Sequence, residues 1–215
     1  MISNIFPLNK MAALKTLVLA AALLILSTSL TGCGYNRFQA MDEEVKSQWS
    51  EVINQYQRRS DLVPNLVQTV KGYAAHESQV FTDVAEARAR VGSIQATPEL
   101  VNDEAALAKF MAAQNQMKGA LSRLMVVAEN YPQLKADGLF RDLQAQLEGT
   151  ENRITVARGR YIETVKQYNI LTRSFPTNLT AKIFGYTAKA NFTVVDEAAV
   201  SNAPAVDFSA PAKKE

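Results

Sequence analysis

Few side chains in this sequence could carry chemistry, and their spacing tests each possibility. There is one thiol, Cys33, and one imidazole, His76. A lone cysteine forms no intramolecular disulfide, and one Cys with one His makes no zinc cluster. His76-Glu77 begins like a zinc-protease helix motif, but Val80 stands where the second histidine belongs. His76 is therefore expected to face solvent or cap a helix. Glu148 and Glu151 lie one helical turn apart, as carboxylates do in metal-bridged bundles. Those sites add a histidine three residues after a glutamate, and none follows here. No Ser-His-Asp set can be built except around His76, and no glycine-rich phosphate loop exists. The expectation is a protein without a catalytic site, a metal or a cofactor.

Two polar clusters remain. Arg58, Arg59, Asp61 and Asn65 surround Pro64, which in a helix would free the carbonyl of Ser60. A nearby Arg or Asn side chain is expected to satisfy that carbonyl. Glu148, Glu151, Asn152 and Arg153 surround Gly149, a residue that costs about 1 kcal/mol inside a helix. Gly149 is expected to mark a close approach of helices, with the carboxylates pairing to arginines of the first helix. Both clusters are read as structural pairing, with recognition of a partner as the alternative.

Cys33 offers a different chemistry. Lys10 and Lys15 flank the entry to TLVLAAALLILSTSL, an uncharged run from Thr16 to Leu30. A spanning helix needs ~20 apolar residues and a signal-peptide core ~7–15, so this run sits at the signal-peptide end. Leu30-Thr31-Gly32-Cys33 follows it, and the pattern resembles the bacterial lipobox. There the thiol is diacylated, the chain is cut before the cysteine, and the new amino end is acylated. Several acyl chains anchor firmly where one binds only marginally. Gly34 rather than aspartate follows, which by resemblance to Gram-negative lipoproteins implies sorting to the outer membrane rather than the inner. The alternative is an uncleaved anchor with an incidental cysteine. Met11 offers a second start without changing this reading.

Lys10 and Lys15 are the only charges in residues 1–32, and they account for the formal net charge of +2. With these two set aside, 21 of the 23 basic residues remain against 21 acidic ones. That balance gives no clustered basic face, so nucleic acid is excluded as a partner.

These residues must be positioned by helices. From Phe38 one stripe runs through Met41, Val45, Trp49, Val52, Tyr56, Val63, Leu66, Val70, Tyr73, Val80, Val84, Ala87 and Val91 in steps of three and four. As one helix it would reach roughly 80 Å. Pro64 predicts a kink between Ser60 and Pro64, or a break restarted at Asp61. Gly92 ends the element, and Thr97-Pro98 reads as a cap with proline in the first turn. A second helix is predicted from about Glu99 to Asn130, on Leu107, Phe110, Gln114, Met117, Leu121, Leu124 and Ala128. A third runs from about Leu139 to Ser174, on Leu139, Leu143, Leu147, Thr150, Ile154, Ala157, Tyr161, Val165, Tyr168 and Leu171. Tyr131, Tyr161 and Tyr168 are expected as half-buried seam residues with hydroxyls at the surface. PTNLTAKIFGY predicts a short further helical turn, and residues 187–215 a flexible tail. The fold class is all-α, an elongated antiparallel bundle of three long helices. Residues 1–32 form the targeting segment and 33–186 the bundle.

Three stretches carry a family resemblance: WSEVINQYQRRSDLVPNLVQTVKGYAAHE (Trp49 to Glu77), RLMVVAENYPQLKA (Arg123 to Ala136), and LQAQLEGTENRITVARGRYIETVKQYNILTRSFPTNLTAKIFGY (Leu143 to Tyr186). Together they resemble the LemA family, in order, over nearly the whole chain after Tyr35. The resemblance implies a membrane-tethered bundle of long antiparallel helices outside the cytoplasm. It carries over no catalytic residue. Many members keep an amino-terminal transmembrane anchor, and the lipobox here is similar to the lipoprotein subset.

The expected function is a non-catalytic scaffold or protein-interaction module of the bacterial cell envelope, held to the membrane by its amino terminus and facing the periplasm. Its protein partner is unidentified. The alternative is a periplasmic sensor or carrier that takes a small apolar ligand between its helices, where Met111, Met117 and Met125 would make the seam deformable.

Overall fold

The computed structural model describes residues 8–192, without the side chains of residues 8–12 and 23–33. The lipobox side chains, Cys33 included, and the tail from 193 onward lie outside the described residues.

Helix α1 runs from Leu8 to Tyr73. It therefore carries the apolar amino-terminal run and the first bundle stripe on one rod of roughly 100 Å. It continues through Pro64, which lies exposed on the outer face, so no break occurs at Asp61. The break comes ten residues later. Val70 and Ala74 close the last turn, Ala75 to Glu77 form a turn, and α2 (Ser78–Gly92) begins. The single rod expected from Phe38 to Val91 is thus two helices. The reason is packing: a straight continuation would leave Val84 and Ala87 in solvent. Folding back buries both in the cluster that contains Leu121 and Leu124 of α3.

The chain continues through a 3-10 helix, Pro98–Asn102, into α3 (Glu104–Glu129). The predicted second helix thus starts in two pieces, because Asp103 caps α3 by accepting from the Ala106 amide at 3.0 Å. A short α4 (Pro132–Ala136) turns the chain at the far end. Asp137 then caps α5 (Gly138–Arg173), accepting from the Phe140 amide at 2.9 Å and from the Tyr73 hydroxyl at 2.9 Å. These two donors, the amide first, hold the Asp137 carboxyl below its ordinary range. Helix α6 (Thr177–Phe184) closes on Gly185, whose φ of 73° is the left-handed conformation glycine tolerates.

The architecture is an all-α bundle. Helix α5 lies antiparallel along α1, and α2 packs on α3. Two hydrophobic clusters fill it. The near cluster joins Phe38 to Tyr56 of α1 with Phe110, Tyr161 and Tyr168, and the far cluster joins Leu62 to Ala74 with Leu124, Leu134 and Phe140. Trp49 centres the near cluster, 5.6 Å from Phe110 and 5.5 Å from Tyr161 by ring centroids.

The carboxyl-terminal segment corrects the expectation of a tail beginning at 187. Residues 187–192 form a strap that climbs the near half. The Ala190 amide donates to the Val101 carbonyl at 2.9 Å, and Asn169 both donates to the Lys189 carbonyl and accepts from its amide. Tyr161 is not a seam residue with a wet hydroxyl; it is fully buried and donates to the Ala190 carbonyl at 2.8 Å. Burial pushes the Tyr161 phenol up, and burial followed by the Asp42 charge pushes Tyr168 up to about 12.

Candidate functional site

The two hydrophobic clusters are separated at the waist of the bundle by a polar layer. Its centre is Arg59, 2% exposed, which falls between Tyr56 and Val63 on the inward face of α1. One arm, Nη1, donates to Glu151 Oε1 of α5 at 2.8 Å. The other, Nη2, donates to both the backbone carbonyl (3.2 Å) and the side-chain oxygen of Gln114 on α3. The guanidinium also lies 5.1 Å from the centroid of the Tyr56 ring. One side chain therefore ties three helices together.

Around it sit the other polar residues picked out by sequence, and they do not all converge. Arg58 points outward and donates to Gln146 at 3.0 Å. Asp61 accepts from Gln57 across an exposed turn, and Asn65 is exposed. Among the described residues no side chain donates to the Ser60 carbonyl, so the expected repair of the Pro64 gap by Arg or Asn is not made. Glu148 pairs with Gln144 of its own helix rather than with an arginine. Arg153 donates to Thr150 at 2.8 Å and to Gln55 of α1 at 3.1 Å. Asn152 is exposed on the rim of a shallow groove with Glu51, Val156 and Arg160. Gly149 marks no close approach: an added Cβ would meet only the Arg153 guanidinium, at 3.4 Å. His76 is exposed in the α1–α2 turn.

A buried ion pair is a poor source of stability, because desolvation offsets its attraction. What it does well is penalise alternatives. A slip of α3 or α5 by one turn, about 5.4 Å, would strand the Arg59 charge among apolar side chains. Beside the layer a cleft of about 300 Å³ opens between α1 and the α2–α3 connection, lined by Ile53, Tyr56, Gln57, Ser60, Phe110 and Gln114 among others. Its walls are part polar, part apolar.

Sequence reading missed a second buried charge, Lys189. Its ammonium lies 2.7 Å from Asp42 and 3.1 Å from Asn102, over the Tyr168 ring at 5.0 Å. Burial alone would push the Asp42 carboxyl up. The hydrogen bonds and charges of Lys189 and Lys46 outweigh it and hold the carboxyl below its ordinary range. The signal for the waist layer was present in the stripes, where Arg59, Gln114 and Thr150 occupy apolar positions. For Lys189 there was none, because its segment has no periodicity.

Among the described residues, the waist layer brings no nucleophile, base and electrophile together. Among the described residues, the ion pair that joins helices at the waist is Arg59 with Glu151. Known proteins are similar to this chain in overall sequence. Magnetosome proteins MamQ 1 and MamQ 2 of Paramagnetospirillum magneticum are each 27% identical over 168 residues, covering 71% of this chain and 62% of each relative. The chain thus spans under two thirds of those relatives' length. Magnetosome protein MamQ of Magnetospirillum gryphiswaldense is 26% identical over 196 residues, covering 84% of this chain and 70% of the relative. The model of the LemA family matches residues 48–208, from the Trp49 region through all of α2 to α6 and the strap. That match takes in most of the chain and both halves of the bundle, and the chain belongs to the LemA family.

Proposed function

We propose that this LemA-family chain is a membrane-tethered, non-catalytic scaffold of the cell envelope, whose bundle presents long helical faces to protein partners. The observation that carries the reading is the form of α1. It continues without interruption from the bundle into the apolar run, and there Leu14, Leu17, Val18 and Leu19 stand exposed, with no described element against them. Apolar side chains arrayed along a helix with nothing against them need burial, in a membrane or against protein, and the tether reading assigns them to the membrane. Among the described residues no helix is long and apolar enough to cross a membrane. A short run ending at Cys33 fits a precursor segment that is cut away before the cysteine, the acyl chains on Cys33 then replacing it as the tether, with the bundle in the periplasm on the outer membrane.

The waist layer supports a structural role. It fixes the register of α1, α3 and α5, so the outer faces keep one geometry for a partner to read. A photo-crosslinking residue placed at exposed Val156 or Leu139, followed by mass spectrometry of envelope fractions, tests the scaffold. A reproducible envelope protein is expected. The absence of any crosslinked partner from correctly folded, membrane-bound protein would count against it.

The cleft beside Tyr56 and Gln114 favours a second reading, a sensor or carrier for a small, partly apolar ligand. The three methionines do not line this cleft: Met111 and Met117 are buried in α3, and half-buried Met125 lines a separate groove with Leu121 and Leu147, so a deformable seam lies on that side of α3 instead. A ligand-dependent rise in melting temperature across a lipid and metabolite panel would support that reading, and a flat panel would retire it.

A further inference from the structure

We propose that α6 is a second membrane contact: a short interfacial helix that seats Phe175, Leu179, Ile183 and Phe184 in the headgroup region of the bilayer holding the amino-terminal tether. This rests on the tether proposed above. The first observation is position. Gly34 packs so closely on α6 that a Cβ there would lie 2.8 Å from Thr180 Oγ1, and Tyr35 lies tilted against Phe184 with centroids 4.9 Å apart. Helix α6 is therefore level with the residue after Cys33, about 6 Å along α1 from Leu30, where the apolar run ends. Beyond α6 the strap climbs away, with Tyr186 against Phe38, Lys189 against Asp42 and Phe192 near Trp49. Among the described residues, only α1 itself continues toward the run.

The second observation is the face that α6 leaves open. Thr180 and Ala181 are buried against the bundle, while Leu179 and Ile183, one turn apart, point the other way. Phe175 is 80% and Ile183 70% exposed, and Ile170 at the end of α5 is exposed beside them in sequence. Large apolar side chains clustered this way on an isolated surface mark an interface. The third observation is charge. Residues 164–195 contain no acid, and two exposed basic residues accompany the apolar group, Arg173 just before it and Lys182 within it, between Leu179 and Ile183. An apolar face with basic residues before and within it and an adjacent tyrosine is the composition that binds the surface of an anionic bilayer. A tether alone would let the rod swivel about residue 33. A second contact would hold it at a fixed attitude to the membrane.

The test uses the full chain, reconstituted in phosphatidylethanolamine–phosphatidylglycerol liposomes with and without brominated acyl chains. The substitution Ile183→Trp adds one indole at an exposed apolar position, with buried Trp49 as the internal background. Flotation is measured first. If the protein does not float with the liposomes, the tether reading fails and the α6 contact falls with it. If it floats, the added indole is expected to shift to the blue and lose intensity to the bromines, while the parent protein's Trp49 emission does not change. A floating protein whose added indole emits as in water and is unquenched overturns the α6 contact and leaves the tether intact. A blue shift that appears in detergent without liposomes and grows with protein concentration assigns the face to a second copy of the chain, and likewise overturns it.

Discussion

Replacing the carboxylate at the waist, Glu151→Met, leaves Arg59 with Gln114 as its only hydrogen-bond partner and no countercharge. Breaking a fully buried pair from one side typically costs about 3–5 kcal/mol. The Glu151 side chain is 30% exposed, so water reaches that edge of the guanidinium, and the expected loss falls to about 2–3 kcal/mol. Arg59→Met removes the charge instead. It leaves the buried Gln114 side chain unpaired and frees Glu151 to turn outward, for a loss of about 1–3 kcal/mol. The double variant Arg59→Met/Glu151→Met leaves no stranded charge and fills the layer with apolar volume. It should lie within about 1–2 kcal/mol of the parent, giving a coupling of about 2 kcal/mol. Urea denaturation of the four proteins, followed by far-ultraviolet circular dichroism at constant slope, measures this. Losses that simply add in the double variant would refute the view that Arg59 and Glu151 act as one buried unit.

Other consequences follow from the remaining contacts. The Asp42 carboxyl titrates lower in the folded chain than in the unfolded one, where it titrates near 4. Its contribution is therefore fully present above about pH 4 and is lost as the pH falls through the folded value, so the strap around Lys189 should loosen in acid before the far cluster does. Amide exchange of Ala190 against Leu124 reads this, and in Asp42→Asn the early loosening should already be present at neutral pH. Gly34→Ala and Gly149→Ala should change stability in opposite directions. The first forces a methyl against Thr180 and should cost about 1–3 kcal/mol, while the second meets only a flexible guanidinium end and should gain about 0.5–1 kcal/mol of helix propensity. Thermal melts of both decide it, and a stabilising Gly34→Ala would mean that α6 is not held there. Cys33→Ala should leave the helical spectrum intact and abolish labelling by radioactive palmitate; persistent label would refute the lipobox.

Much of the bundle was legible because each helix must bury one stripe. The boundaries of α5 followed from the Leu139-to-Leu171 stripe with Asp137-Gly138 before it and Pro176 after it, although Leu139 itself is exposed and its neighbour Phe140 is buried in its place. The α1–α2 turn was not legible. Tyr73 and Val80 are seven residues apart, two helical turns, so the stripe stays in phase across a break that has no proline. Attention went to Pro64, whose exposed ring the helix accommodates. Of the polar cluster near it, only Arg59 faces inward, because Arg58 is rotated about 100° around the axis. Gly149 looked like a contact glycine, yet among the described glycines it is Gly34 that touches a neighbouring helix. The strap was invisible because its hold on the bundle lies in partners far along the chain, Asn169, Tyr161 and Asp42, and not in its own pattern.

The most direct test of the tethered scaffold is the partition of the full chain after an alkaline carbonate wash of isolated membranes. Retention in the pellet, with release when residues 1–33 are deleted, is the predicted result, because only an embedded tether resists the wash. Recovery of the intact chain in the wash would contradict the account.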